Sequence, residues 1–396
     1  MWRYAAGTIM ALSALILTGV LAYGVYDGSL APGAAERRTA GPTSSDGSSG
    51  SAGAFGDAPD EHGVLTVSDD RRVLRSFEGD SFTSDESDGP QAEVELPGRA
   101  SSIEPTPGGV SVWVSYEDRG EIDVFSTASL EHEASIEPPG ADGRRPEHLA
   151  FSGNGQTLFV TWSDHDDISV YGHEMRELSE RLTIEAEGTV GPVHPNRRAT
   201  RLYRATEEGS IAVFFAQNGQ RVGEIRPDEP AVGATLAFSD DHSLLWGVSE
   251  DRSVFAVDEA EASAHTGAVE VSADRAPAAA WSGESGITGD GRAVFVSEDA
   301  TALEVVSVSD ITSEASDSGG RVELSDMDGI EGSRVAHAAK SGTGTVLLVT
   351  DAGDTAEVDP AESVVRSTGS LSEGSADSIN LVASYAIRRD GNFACF

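Results

Sequence analysis

The feature that most constrains this chain is a unit that keeps returning. SVWVSYEDRGEIDVFS (111–126), TLFVTWSDHDDISVYG (157–172) and RLYRATEEGSIAVFFA (201–216) share one pattern, and so do LLWGVSEDRSVFAVDE (244–259), AVFVSEDATALEVVSV (293–308) and VLLVTDAGDTAEVDPA (346–361). Each is an apolar run of about five residues, an acidic or glycine-containing turn, then an alternating run, which is the signature of a hairpin. Trp113, Phe159, Tyr203, Trp246, Phe295 and Leu348 align in one register, at spacings of 46, 44, 43, 49 and 53 residues. A further copy, VLTVSDDRRVLRSF (64–77), lies about one period earlier.

A strand pair of this kind cannot bury its apolar face alone, so neighbouring units must stack. Repeats of this length with about four short strands each predict a β-propeller. The fullest unit reads as strand a (HLAFS), a Gly-Asn-Gly turn, strand b (TLFVTW), an acidic turn, strand c (ISVYG) and strand d (RLTIE). Six units look complete. The N-terminal copy supplies strands b, c and d but has no strand a before Gly63, while SINLVASYAIRRDGNFACF (378–396) resembles strand a, a turn and a short strand b. The expected fold is therefore all-β, a seven-bladed propeller over 61–396 in which the C-terminal strand completes the N-terminal blade and removes the open edges. Because NFACF and VLTVSD both resemble strand b, an eight-bladed ring is the second choice.

The unit at 157–172 resembles the YVTN family of β-propeller repeats. Phe159-Val160-Thr161-Trp162 stands where that family has Tyr-Val-Thr-Asn, and Ile168-Ser169-Val170-Tyr171 where it has a Val-Ser-Val type strand. Val294–Ser297 and Leu347–Thr350 are looser matches, and the signature Asn is absent. The dipeptides of WD repeats are absent too. The resemblance implies the propeller fold and leaves function open, since propellers include scaffolds, lactonases and quinoproteins.

Residues 4–26, YAAGTIMALSALILTGVLAYGVY, carry no charge and exceed the ~20 residues that cross a bilayer as a helix. Trp2, Tyr4, Tyr23 and Tyr26 flank the segment as interfacial aromatics do. The expectation is an uncleaved transmembrane anchor within 1–27, with a cleaved signal peptide as the rival. Residues 28–60, rich in Gly, Ser, Ala and Pro, are expected to be a disordered tether. The propeller is then extracytoplasmic, at the cell membrane. Net charge is -40, with Lys340 the single lysine. That balance argues against nucleic acid as a partner and suggests a surface kept soluble in high salt. The lone cysteine, Cys395, excludes intrachain disulfides and thiolate metal clusters, and reads as a small buried side chain.

No nucleophile elbow, phosphate loop, dinucleotide-binding glycine pattern or zinc-binding helix is present. Asp164, Asp166 and Asp167 share a turn, as do Asp326 with Asp328 and Asp351 with Asp354, so calcium is possible. With 67 acidic residues, solvated turn carboxylates are the plainer reading, and no cofactor is expected. In the repeat register His148 and His337 are equivalent, and three residues earlier Arg99, Arg145 and Arg334 share a position that Trp281 takes in another blade. Those six residues define a candidate anion patch at the mouth of the ring, suited to a carboxylate or phosphate. Arginine pairing with surface carboxylates is the competing reading. The function expected is a membrane-anchored binding or scaffold module for protein partners, the alternative being a lactonase-like or quinoprotein-like enzyme with a metal or cofactor over the channel.

Overall fold

The structure is a computed structural model. It describes residues 62–68, 70–78, 89–174 and 177–227 and, with gaps, stretches between 232 and 386. In chain order the strands are β1 (His62–Val67), β2 (Val73–Glu78), β3 (Ala92–Glu95), β4 (Ala100–Pro105), β5 (Ser111–Tyr116), β6 (Ile122–Ser126), β7 (His132–Ile136), β8 (Pro146–Phe151), β9 (Thr157–Trp162), β10 (His165–Glu174), β11 (Glu177–Ile184), β12 (Thr189–Pro195), β13 (Arg201–Thr206), β14 (Ile211–Phe215), β15 (Arg221–Pro227), β16 (Thr235–Phe238), β17 (Leu244–Val248), β18 (Val254–Asp258), β19 (Gly267–Val271), β20 (Trp281–Ile287), β21 (Ala293–Ser297), β22 (Ala302–Val306), β23 (Gly320–Glu323), β24 (Val335–Lys340), β25 (Val346–Thr350), β26 (Asp354–Asp359), β27 (Val364–Ser370) and β28 (Leu381–Ala386).

They form seven sheets. Blade 1 is β4–β7, blade 2 β8–β11, blade 3 β12–β15 with β19, blade 4 β16–β18, blade 5 β20–β23, blade 6 β24–β27, and blade 7 is ordered β28-β1-β2-β3. Innermost strands pack on one another in succession: β28 on β4, β4 on β8, β8 on β12, β12 on β16, β20 on β24 and β24 on β28. The fold is a seven-bladed propeller. It closes as the sequence predicts. The C-terminal strand β28 lies antiparallel to β1, with Ala383 opposite Leu65 and His62 opposite Ala386. In consequence β1 gains a ladder partner on its inner side, and neither end of the ring leaves a β1 edge open. Residues 392–396, the competing strand b, and Cys395 lie outside the described residues, as do residues 4–26 and 28–60. Among the described residues no helix is long and apolar enough to cross a membrane.

The core lies between blades rather than around the axis. Strand pairing places directly opposite residues on the same face, so Trp113 of blade 1 joins Leu149, Phe151, Leu158 and Val160 of blade 2 in one buried cluster. Phe159 does the same against Val193, Leu202, Ala212 and Phe214 of blade 3, and Tyr203 against Leu236, Leu245 and Phe255 of blade 4. Trp113, Phe159 and Tyr203 of the aromatic row are thus plugs, each filling the face of the next blade. Leu348 departs from that row. It packs back against Val294, Val296 and Leu303 of blade 5, while Leu347 and Val349 face onward to Val64 and Phe77 of blade 7. A one-residue offset reverses the face of a strand; it is shared by AVFVS, whose Val294 and Val296 face blade 6, and VLLVT, runs too uniformly apolar for an alignment to detect it.

Blade 4 has three strands among the described residues. The expected fourth strand, β19, pairs instead in parallel with β15 of blade 3, with Gly223 opposite Gly267 and Pro227 opposite Val271. Glu259, at the exit of β18, is held by blade 3, accepting hydrogen bonds from Tyr203 Oη (3.2 Å) and Asn196 Nδ2 (2.9 Å). In blade 4 itself Gly247 is required: a Cβ there would lie 1.9 Å from the Phe255 ring.

Candidate functional site

The loops that enter strand a and the turns that leave strand b meet on one face of the ring. In four blades the backbone N–H after strand b donates to the carbonyl of the residue before strand a: Glu117 to Arg99 (2.9 Å), Ser163 to Arg145 (3.1 Å), Glu207 to Gly188 (3.0 Å) and Asp351 to Arg334 (2.8 Å). Each inner strand then carries a bulge, with pairing that skips from Ala100 to Ser102, Pro146 to His148 and Val335 to His337. Arg99, Arg145 and Arg334 are therefore equivalent, and so are His148 and His337. Trp281 sits one position further in. It pairs with Ser297 at the end of strand b, as Ala100 does with Tyr116 and Pro146 with Trp162.

The guanidinium groups of Arg145 and Arg334 reach backward to the preceding blade. Arg145 Nη1 donates to the Glu117 carbonyl (3.1 Å), and Arg334 Nε to the Asp299 carbonyl (3.1 Å). In blade 3 glycine, Gly188, occupies the arginine position. Its N–H donates to Asp166 Oδ2 (3.0 Å), and Arg204, buried on β13, supplies the guanidinium instead, donating to the Asp166 and Gly191 carbonyls. Arg145, Arg334 and Arg204 are staples from one blade to the turn of the last. Sequence reasoning missed Arg204, because its donor comes from strand b.

At one point three guanidinium groups converge. Arg71 Nη1 of blade 7 donates to Glu117 Oε1 (3.0 Å), Arg99 Nη1 of blade 1 lies 3.5 Å from Glu117 Oε2, and Arg145 of blade 2 holds the carbonyl of the same residue. All four residues keep substantial exposure. Arg334, Trp281 and His337 belong to blades 5 and 6, and His148 lies inside the channel wall, beside Glu147 and Arg204. Arg71 was not legible as a member of the cluster, since it comes from a b–c turn rather than from a loop before strand a.

A second polar group lines the inner strands. The residues paired with the onward-facing position of strand b are Glu104, Ala150, His194, Ala237, Gly286, Ala339 and Ala383. Five of seven are Ala or Gly. Glu104 is enclosed by the surrounding blades, although part of its surface stays accessible, and it accepts the Phe151 N–H; burial pushes its carboxyl up to about 8. His194 is pushed down to about 4 by burial, with His148 adding to the effect, and its Nε2 is enclosed without a hydrogen-bond partner. His148 is lowered mainly by burial and by Arg204, against the opposing pull of Glu147. At neutral pH Glu104 and His194 are therefore both uncharged.

The turn carboxylates hold backbone rather than one another. Asp166 takes the Gly188 N–H, Asp351 takes the Arg334 N–H (3.1 Å), and Asp167 lies 3.7 Å from Arg144. Among the described residues no group of three or more His, Cys, Asp or Glu side chains is placed to share a metal ion.

No protein-family model matches the chain, and no curated protein matches it. Solved structures do. One of those similar to it is apo AztD from Citrobacter koseri, 12% identical, with a TM-score of 0.48, covering 79% of this chain and 83% of that one.

Proposed function

We propose that this chain is a membrane-anchored, extracytoplasmic propeller that binds or organises protein partners at the cell surface. The observation that carries the reading is the closure of β28 on β1. It turns seven marginal sheets into one ring whose loops are held by a fixed frame, the arrangement that lets surface loops present a stable recognition face. The uncharged segment at 4–26 and the small-residue tether at 28–60 fit a domain held off a membrane. The anion patch is part of this reading: Arg99 and Arg145 lie on the face where strands a begin, in a protein of net charge -40.

The test uses the full chain in its native membranes. After an alkaline wash it should stay in the membrane fraction. Zero-length coupling of carboxylates to amines, to which a chain with 67 acidic residues responds well, should yield discrete higher-mass adducts. Release by the wash would remove the anchor, and recovery of uncoupled chain alone would remove the partner.

A further inference from the structure

We propose that Arg71, Arg99 and Arg145 form a binding site for one oxyanion group of a ligand, a carboxylate or a phosphate, in which the carboxylate of Glu117 occupies the ligand's place in the free protein. The inference deepens the binding-module reading and rests on it for its biological sense, but its chemistry stands on the geometry alone. Three blades contribute one guanidinium each. Two of these take the two oxygens of a single carboxylate, and the third takes the carbonyl of the same residue. A guanidinium carries five N–H donors in a planar fork, and each of these three spends Nη1 on Glu117. Two positive charges face the one negative charge of the carboxylate, and a third lies on the carbonyl of the same residue. Of the acids on the neighbouring turns, Glu121 pairs with Arg119, Asp70 takes the Ser68 hydroxyl, and Asp118 lies under Gly98. The remaining negative charge of the protein is spread over its surface and is screened beyond ~8 Å at physiological ionic strength.

The blade-staple role accounts for Arg145 and leaves Arg71 and Arg99 unexplained. Neither reaches a turn carbonyl of a preceding blade with its side chain in the way Arg145 and Arg334 do; both go to the Glu117 carboxylate. A carboxylate recruited by two arginines from different blades marks where an incoming oxyanion would be received.

Calorimetric titration of the full chain, in detergent, tests this with two probes, inorganic phosphate and N-acetylglutamate. Whichever probe binds identifies the group the site takes. Glu117→Gln removes the internal competitor while keeping its shape, so affinity should rise about fivefold or more. Arg99→Gln, at the most exposed of the paired positions, should weaken binding about tenfold, as should Arg71→Gln. Arg366→Gln, whose guanidinium pairs with Asp359 in blade 6, should change nothing. Thermal melts of each variant confirm the fold. No heat from either probe with both the parent and Glu117→Gln overturns the proposal, and so does binding that Arg99→Gln leaves intact. Membrane adducts that persist in Arg99→Gln would place the partner elsewhere on the ring, whereas probe binding without any adduct would leave the site standing and the scaffold reading without support.

Discussion

The joint between blades 1 and 2 and the joint between blades 2 and 3 do one task with different residues. In the first, Arg145 leaves the loop before β8 and satisfies the Glu117 carbonyl. In the second, Gly188 stands at that loop position, and Arg204 reaches the Asp166 carbonyl from β13. What is common to the two joints is the acceptor, a turn carbonyl of the preceding blade, and the need to satisfy it. The comparison also sets an exposed arginine against a buried one. Arg204 keeps 2% of its surface, while Arg145 is open to solvent. Equivalent geometry should therefore carry unequal energy.

The largest effect should come from the apolar plug of the first joint. Trp113, fully buried against blade 2, should cost about 4 kcal/mol on replacement by alanine, read from denaturant unfolding. Leu347, its register equivalent at the joint between blades 6 and 7, should cost about 3 kcal/mol as Leu347→Ala. If Leu348→Ala affected the joint to blade 7 more than the joint to blade 5, the register assigned here would fail.

Next in size is the pH dependence. His194 has a depressed folded-state value, about 4 against 6.5. Its contribution is complete above 6.5 and disappears as pH falls toward 4, by up to about 3 kcal/mol. Glu104 has a raised value, about 8 against 4.5, so its contribution is complete below 4.5 and disappears as pH rises toward 8. Between 4.5 and 6.5 the two slopes oppose each other. Glu104→Gln should leave a stability that climbs with pH from 4 to 6.5, and His194→Gln one that declines from 4.5 to 8. Parallel profiles for the two variants would contradict the assignment of both groups.

The staples themselves come last. Arg204→Ala strands two carbonyls in a buried joint and should cost about 2 kcal/mol. Arg145→Ala exposes its carbonyl to water and should cost less than about 1 kcal/mol. Equal losses would mean that burial does not separate the two joints.

Much of this architecture was readable from residues 111–216, where Trp113, Phe159 and Tyr203 keep both spacing and face. Closure was readable as well, because the first unit lacked a strand that 378–396 could supply. The offset in the b strands of blades 5 and 6 was not, since alternation between two apolar neighbours leaves no trace in composition. The parallel pairing of β19 was hidden for a different reason: it joins residues 223–227 of one blade to residues 267–271 of the next, and a repeat alignment holds no record of pairing between units. At the mouth, the recurrence of Arg99, Arg145 and Arg334 was visible. Its meaning was not, because a repeat alignment compares residues with one another and never with the carbonyl they serve. Arg71 and Arg204 escaped on that ground, as did the placing of Glu104 and His194 at equivalent positions of a ring otherwise built of Ala and Gly.

Closure of the ring is the claim on which the rest depends, and amide hydrogen exchange on the intact chain tests it most directly. Every residue from 381 to 386 faces a partner between 62 and 67, so the amides of the two segments should be protected to a similar degree and should lose protection together as denaturant is added. Rapid, unprotected exchange at 381–386, with 62–67 still slow, would show that the C-terminal strand does not close the propeller.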